Sequence, residues 1–277
     1  RFNNTPAPLT IRANTLITSR DELARALALE RVATRPCSHA PDGLVVESGS
    51  PFRTALAGGG QFLAQDEASQ LVGVFAGLSA RGLIADVCAA PGGKTAQLAA
   101  AAGPGGVVVA GDVRSRRVRL LRQTLRTARV ASAHVVCHDL LGGLPYGAVF
   151  ETVLVDVPCS SLGTIRRDPD IRWSRREDEL PALAGRQLRM LDSASRSVAA
   201  GGVLVYATCS SEPDENESVV EAFLADQPAF RLEDPRAEGP DLPAGLVACL
   251  DERGCLRTQP HRHGLEAFFA ARLRRRP

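Results

Sequence analysis

The chain has 277 residues, 44% of them hydrophobic, and a formal net charge of +2. This composition supports one sizeable α/β domain plus a smaller unit and excludes disorder as the default. Seven scattered cysteines without CxxC spacing exclude a disulfide scaffold and fit a reducing, cytoplasmic setting, and with no run of 18 apolar residues no membrane-spanning helix is expected.

Residues 1–58 read as a small α+β unit. Leu9 to Thr15 is strand-like. Arg20 to Arg31 is helix-like, with Leu23, Leu27 and Val32 on one side and Ser19 or Asp21 as the cap. Gly43 to Glu47 is a second short strand, and Gly58-Gly59-Gly60 marks the bend into a second unit, 59–277. That unit begins with a helix from Gln65 to Leu78. Strands are then expected at Leu83–Cys88, Gly106–Gly111, Ala133–Cys137, Thr152–Val157 and Gly202–Thr208. Helices are expected at Thr95–Ala102, Ser115–Ala128, Asp178–Ala200 and Glu215–Ala225, and a late strand at Leu265–Leu273. Strand alternating with helix in this rhythm is a Rossmann-like α/β sheet with both faces covered.

Three strand ends carry Cys88, Cys159 and Cys209, and ligands collect at the carboxyl ends of parallel strands. After the first comes the turn Cys88, Ala89, Ala90, Pro91, Gly92, Gly93, Lys94, whose glycines permit a close backbone turn into a helix N-terminus. It lacks both the GxxxxGK[ST] and the full GxGxxG spacing. Asp112 closes the next strand, where a carboxylate can accept from ribose hydroxyls, and Asp139 closes the one after, within reach of an adenine. As single residues both aspartates read equally well as turn or cap residues. This geometry leaves NAD and S-adenosylmethionine open. Two thiols facing the ligand favour the methyl donor, because methylating C5 of a pyrimidine requires a nucleophile at C6, whereas hydride transfer needs no thiol. Asp156, three residues before Cys159, is placed to bond the N3 and amino edge of a cytosine.

The segments DVCAAPGGKT at 86–95, DVPCSSLGTIRRDPDIRW at 156–173 and YATCSSEPDENE at 206–217 resemble, in order, the motifs of the Nol/Nop/Sun family of RNA cytosine-5 methyltransferases. Weaker resemblance covers TPAPLTIRAN at 5–14, QFLAQDEASQ at 61–70 and the terminal FFAARL. The resemblance implies an S-adenosylmethionine-dependent methyltransferase fold, with Cys88 to Lys94 as the cofactor loop, Asp112 on the ribose, Asp139 on the adenine side and Asp156 beside the methyl donor and base. It also assigns Cys209 as the nucleophile and Cys159 to product release; residue chemistry alone does not rank the two thiols. The implied partner is RNA, with 16S ribosomal RNA before completed subunit assembly as the substrate, and a monomer is expected. The family's bacterial members carry a helical RNA-binding domain ahead of this region, and Leu265-Glu266 stands where the family pattern has Asp-Gly. No metal is expected, since Cys88, Cys159, Cys209 and His138 lack paired ligand spacing. A noncatalytic RNA-binding assembly factor and an NAD-dependent oxidoreductase are the rival readings.

For RNA contact the candidates are Arg12 and Asn14, by resemblance, and Arg166, Arg167, Arg172 and Arg175 around the Cys159 turn. The alternative for the last four is pairing with Asp168, Asp170 and Glu177, and packing is the first expectation for Trp173. Val113 to Ala131 holds seven arginines and no acid, a local basic surface in a nearly neutral chain. Lys94 is the only lysine, against 32 arginines.

Overall fold

The computed structural model describes residues 2–78, 80–238 and 242–277. The small unit is an antiparallel sheet of β1 (Thr10–Ala13), β2 (Ala33–Pro36), β3 (Gly43–Ser48) and β4 (Phe62–Ala64), in the order β2-β3-β1-β4. The helix Arg20–Leu29 starts in a capping box: Glu22 N donates to the Ser19 hydroxyl, and Ser19 N donates back to the Glu22 carboxylate. Its Leu23 and Leu27 meet Ile11, Ala13, Leu44 and Phe62 in a separate core. Strand alternation sends Ile11 and Ala13 into that core, while Thr10 and Arg12 are also buried, so both faces of β1 are covered. Because β4 belongs to this sheet, the sheet runs past the Gly58–Gly60 bend.

The large sheet contains β5 (Leu83–Asp86), β6 (Val107–Asp112), β7 (Ala133–Cys137), β8 (Phe150–Asp156), β9 (Val198–Thr208), β10 (Phe230–Glu233), β11 (Leu256–Thr258) and β12 (Phe268–Arg275). Its order is β10-β12-β9-β8-β5-β6-β7, with β11 on β12. From β9 to β7 the pairing is parallel, and β12, β10 and β11 join antiparallel. Alternate side chains feed two cores. Ile84, Val108, Leu154 and Val205 pack under the helices Glu67–Gly77, Gly93–Ala102 and Ser115–Thr127. Ala85, Val153, Val155 and Tyr206 pack under Leu180–Ser195 and Glu217–Asp226. The chain leaves β5 toward β6 on one side and has β8 on the other. The crevice beyond β5 and β8 is therefore the topological switch point, and Asp86 and Asp156 both end there.

Two boundaries differ from the sequence reading. The helix expected to reach Ala200 stops at Ser195, and β9 starts at Val198. Val198 pairs with Phe150 and Val203 with Thr152, so the four residues 199–202 of β9 stand against the single Glu151 of β8. Gly201, at φ +72°, is inside that bulge. Strands β2, β4, β10 and β11 are short and were not expected.

Candidate active site

The glycine turn leaves β5 at Asp86, passes a cis Ala90–Pro91 bond, and reaches Gly92 at φ +113° before the helix Gly93–Ala102. A Cβ on Gly92 would come within 2.9 Å of Leu121 Cδ1 in the helix behind the turn. Asp86 is buried; its Oδ2 accepts from the Thr95 hydroxyl at 2.7 Å and its Oδ1 has no partner. Burial pushes its carboxyl up to about 7.

Lys94 is the second residue of the helix that this turn opens, and its side chain reaches the end of β8. Its Nζ is 2.8 Å from Asp156 Oδ2 and donates to the Ser69 hydroxyl at 2.9 Å. Burial works against the ammonium, but the Asp156 carboxylate, with Cys209 and Asp86 adding to it, makes the net shift upward. Lys94 therefore stays charged beside the two thiols. The Phe268 ring is 6.0 Å from Nζ.

Cys159 and Cys209 extend from β8 and β9 and place their sulfurs 3.2 Å apart. The hydrogen bond with Cys159 draws the Cys209 thiol below its usual value against the opposing effect of burial, and Ser161 Oγ at 3.5 Å adds to it. Cys159 moves the other way: the same bond, then burial, raises it. The two thiols are thus driven apart, and Cys209 is the one that loses its proton more readily.

Behind the sulfurs is a feature that sequence reasoning missed. Glu215, fully buried, accepts from Ser160 N at 2.9 Å, from Gln187 Nε2 at 2.8 Å, and from the hydroxyls of both Ser160 and Ser210. Ser160 follows Cys159 and Ser210 follows Cys209, so one carboxylate ties both thiol-bearing turns together. In the sequence Glu215 is one acid among Asp214, Glu215 and Glu217, and nothing in such a run marks the buried member.

A cavity of about 380 Å³ is lined by Cys88, Asp112, Asp139, Asp156, Cys159 and Cys209, among others. The Asp112 carboxylate accepts from Arg114 N at 3.3 Å and pairs with Arg117 Nε at 3.2 Å, which leaves lone pairs for further donors. Asp139 caps a short turn by accepting from Leu141 N at 3.0 Å and still lines the cavity. The volume is within the range of cofactor pockets, and its carboxylates stand at successive strand ends. The residues present therefore fit S-adenosylmethionine: Asp112 and Asp139 for the nucleoside, and the Cys88–Lys94 turn for the rest.

The predicted RNA contacts fare differently. Arg12 is 2% exposed and donates to Gln65 Oε1 at 2.8 Å and to Gly93 O at 3.0 Å. Asn14, equally buried, donates to Gly60 O and Ala128 O. Both sit inside the protein with their donors bonded there and do not reach an RNA surface. Arg166 donates to the carbonyls of Thr5 and Pro6, and Arg172 to Asn3 O and Asn4 Oδ1. Arg167 pairs with Asp66 at 2.7 Å and Glu266 at 3.2 Å, while Arg175 donates to Ser160 O and pairs with Glu179. These partners are not the expected Asp168, Asp170 and Glu177, because the loop folds onto residues 2–8 and onto Asp66 and Glu266. Trp173 is 86% exposed and does not pack the loop.

Among the described residues no cluster of three His, Cys, Asp or Glu is placed to hold a metal, and no helix is long and apolar enough to cross a membrane. Residues 78–274 match the family described as 16S rRNA methyltransferase RsmB/F, and residues 1–53 match its ferredoxin-like domain. The ribosomal RNA small subunit methyltransferase B of Vibrio cholerae is 38% identical over 89% of this chain and 57% of its own length. The probable counterpart in Synechocystis sp. is 35% identical over 99% of this chain and 61% of its own. The chain thus spans about three-fifths of the length of these curated relatives. Among solved structures, a methyltransferase homolog protein from Pyrococcus horikoshii superposes with TM-score 0.80 and 28% identity, covering 99% of this chain and 88% of that one. NSun6 of the same organism gives 0.84 at 22% identity, covering 99% and 92%, which speaks for the fold alone. With both its sheets and its three long motifs accounted for, the chain belongs to the 16S rRNA methyltransferase RsmB/F family.

Proposed function

We propose that this chain transfers a methyl group from S-adenosylmethionine to C5 of a cytosine in RNA, with 16S ribosomal RNA as substrate, through a covalent adduct of Cys209 with C6. The observation that carries this reading is the thiol pair at 3.2 Å with the lowered member on Cys209, beside the Lys94–Asp156 pair. S-adenosylmethionine, when bound, supplies an electrophilic methyl group. The protein supplies the rest. Asp156 bonds the N3 and amino edge of the base, held in position by Lys94. Cys209 sulfur forms a bond to C6, and the C5–C6 π pair moves to C5, which takes the methyl. Loss of the C5 proton to solvent leaves the C5–H bonding pair to form C5=C6, and the C6–S bonding pair departs with the Cys209 sulfur. Cys159, kept as a thiol, donates its S–H to the departing Cys209 thiolate. A protein with seven free thiols suits the cytoplasm, and rRNA not yet packed into the subunit exposes a cytosine at least cost.

The test is incubation with in-vitro-transcribed 16S rRNA and radiolabelled S-adenosylmethionine, followed by mapping of the labelled base. Label at C5 of a cytosine, with none from Cys209→Ser, is expected. RNA binding without label would favour an assembly factor, and thermal stabilisation by NAD but not by S-adenosylhomocysteine would favour an oxidoreductase.

A further inference from the structure

A second cavity, about 570 Å³, opens between the small unit and the helix Ser115–Thr127, and it meets the first at Cys88, Ala90 and Asp156. Its walls are set rigidly. Asn14 bonds Gly60 O on one side and Ala128 O on the other, and Gly60, at φ +71°, lies so close that a Cβ there would reach 1.9 Å from Thr127 O. Two large apolar side chains in the lining, Phe52 and Leu120, are 51% and 49% exposed, and Phe52 leans on Phe62 with ring centroids 5.8 Å apart. Gln123 brings an amide to the same lining. Arg53 follows Phe52 in the chain, and the helix that supplies Leu120 and Gln123 carries Arg119, Arg122 and Arg126 on an adjoining face; all four are exposed and lie outside the cavity lining.

We propose that this cavity takes a nucleobase adjacent to the target cytosine in single-stranded RNA, stacked on Phe52 and bonded at its edge by Gln123, with the flanking phosphates on Arg53, Arg119, Arg122 and Arg126. The inference rests on the RNA methyl-transfer reading and extends it to how the strand is gripped. Three facts favour this occupant. The cavity is continuous with the reaction centre, so a strand delivering one base to Asp156 has its neighbour at this opening. Its walls are mostly apolar, with the Gln123 amide as donor and acceptor toward solvent and Asp86, Lys94 and Asp156 at the end that meets the reaction centre, which suits a flat base. Two carboxylates of its lining, Asp66 and Asp156, are paired with Arg167 and Lys94, and the segments beside it carry exposed arginines, which suits a polyanionic backbone. Arg12 and Asn14 thereby acquire a role: they do not touch RNA but hold the wall that does.

The experiment uses the full chain and 16S rRNA transcribed in vitro with 4-thiouridine. Irradiation should crosslink RNA to peptides containing Phe52 or the segment 120–127. Phe52→Ala and Gln123→Ala should each raise KM about tenfold with kcat and S-adenosylhomocysteine affinity unchanged, as expected for a lost base contact. Phe52→Trp, which keeps a stacking face, should restore KM, and the triple variant R119E/R122E/R126E should weaken binding most at low salt. Normal methylation with no such crosslinks and unmoved KM overturns the subsite and leaves methyl transfer standing. Crosslinks at these peptides without methyl transfer keep the subsite and overturn the enzymatic reading. Self-association that Phe52→Ala abolishes, in the absence of crosslinks, assigns the face to a second copy and overturns the proposal.

Discussion

Cys209 can hold a negative charge because its neighbours donate to it, and the largest contribution comes from Cys159. Cys159→Ala should therefore move the midpoint of Cys209 alkylation by iodoacetamide to higher pH. The same variant should attack RNA more slowly and then retain it, giving a protein–RNA band on denaturing gels, whereas Cys209→Ser gives none. A trapped band from the Cys209 variant would reverse the two roles. Glu215 offers a second test at this scale. Glu215→Gln removes the charge and turns one acceptor oxygen into a donor, which would face Ser160 N and Gln187 Nε2 in one orientation and in the other would force the Ser160 and Ser210 hydroxyls to accept instead of donate. A loss of about 1–3 kcal/mol in urea unfolding is expected. The alkylation rate of Cys209 should also change as the two turns separate. A stability loss that leaves Cys209 reactivity untouched would make Glu215 a core residue with no bearing on the thiols.

The glycine turn and the loop after Cys159 show how far local sequence carries. Cys88 to Lys94 was legible because Gly92 and Gly93 interrupt a strand and open a helix, and Asp112 followed from the strand rhythm. The reason for Gly92 was only half visible. A side chain there would press on Leu121 behind the turn, and φ +113° excludes a β-branched residue whatever the space. Gly92→Val should cost about 1–3 kcal/mol in strain alone and weaken S-adenosylhomocysteine binding by calorimetry; unchanged affinity would separate the turn from the cofactor. The arginines of the loop were legible as charge but not as partners, because Asp66 and Glu266 lie about a hundred residues away in either direction. Trp173 was expected to pack and instead projects, since the helix that carries it, Ile171–Ser174, buries only Ile171. The overlong helix to Ala200 failed for a different reason: small residues such as Ala199 and Ala200 suit a helix locally, while the pairing of Val198 and Val203 with β8 carries them into β9 as part of its bulge.

At the scale of the whole molecule the question is what holds the small unit to the sheet domain, and two devices answer it. One is Arg167, which donates to Pro8 O at 3.4 Å in the small unit while it pairs with Asp66 and Glu266 of the sheet domain. Burial raises the Glu266 carboxyl to about 7, above its unfolded value of 4.5, with Asp66 adding to the rise and Arg167 opposing it. The folded state therefore binds more protons than the unfolded one between those limits, so this group's contribution to stability is fully present below about 4.5 and is lost as pH rises through about 7. Glu266→Gln should flatten the pH dependence of urea unfolding across that window; an unaltered slope would place the titration elsewhere.

The second device is the pair Arg12 and Asn14, which the resemblance of the sequence puts forward as RNA contacts. Each residue bridges the two units: Arg12 through Gln65 and Gly93, Asn14 through Gly60 and Ala128. Asn14→Ala removes one amide and leaves two buried carbonyls without that donor, at a cost of about 2–4 kcal/mol. An RNA-contacting asparagine would behave in the opposite way, since its loss would weaken RNA binding and leave unfolding unchanged. The decisive measurement is urea unfolding of Asn14→Ala beside its KM for in-vitro-transcribed 16S rRNA, taken where both proteins are folded. Lower stability together with a raised KM and unchanged S-adenosylhomocysteine affinity is expected, because the wall set by Gly60 shifts while the cofactor cavity, built from β5 to β9, keeps its shape. If stability held and only KM rose, Asn14 would have to reach RNA directly, and the buried arrangement against Gly60 and Ala128 would be wrong.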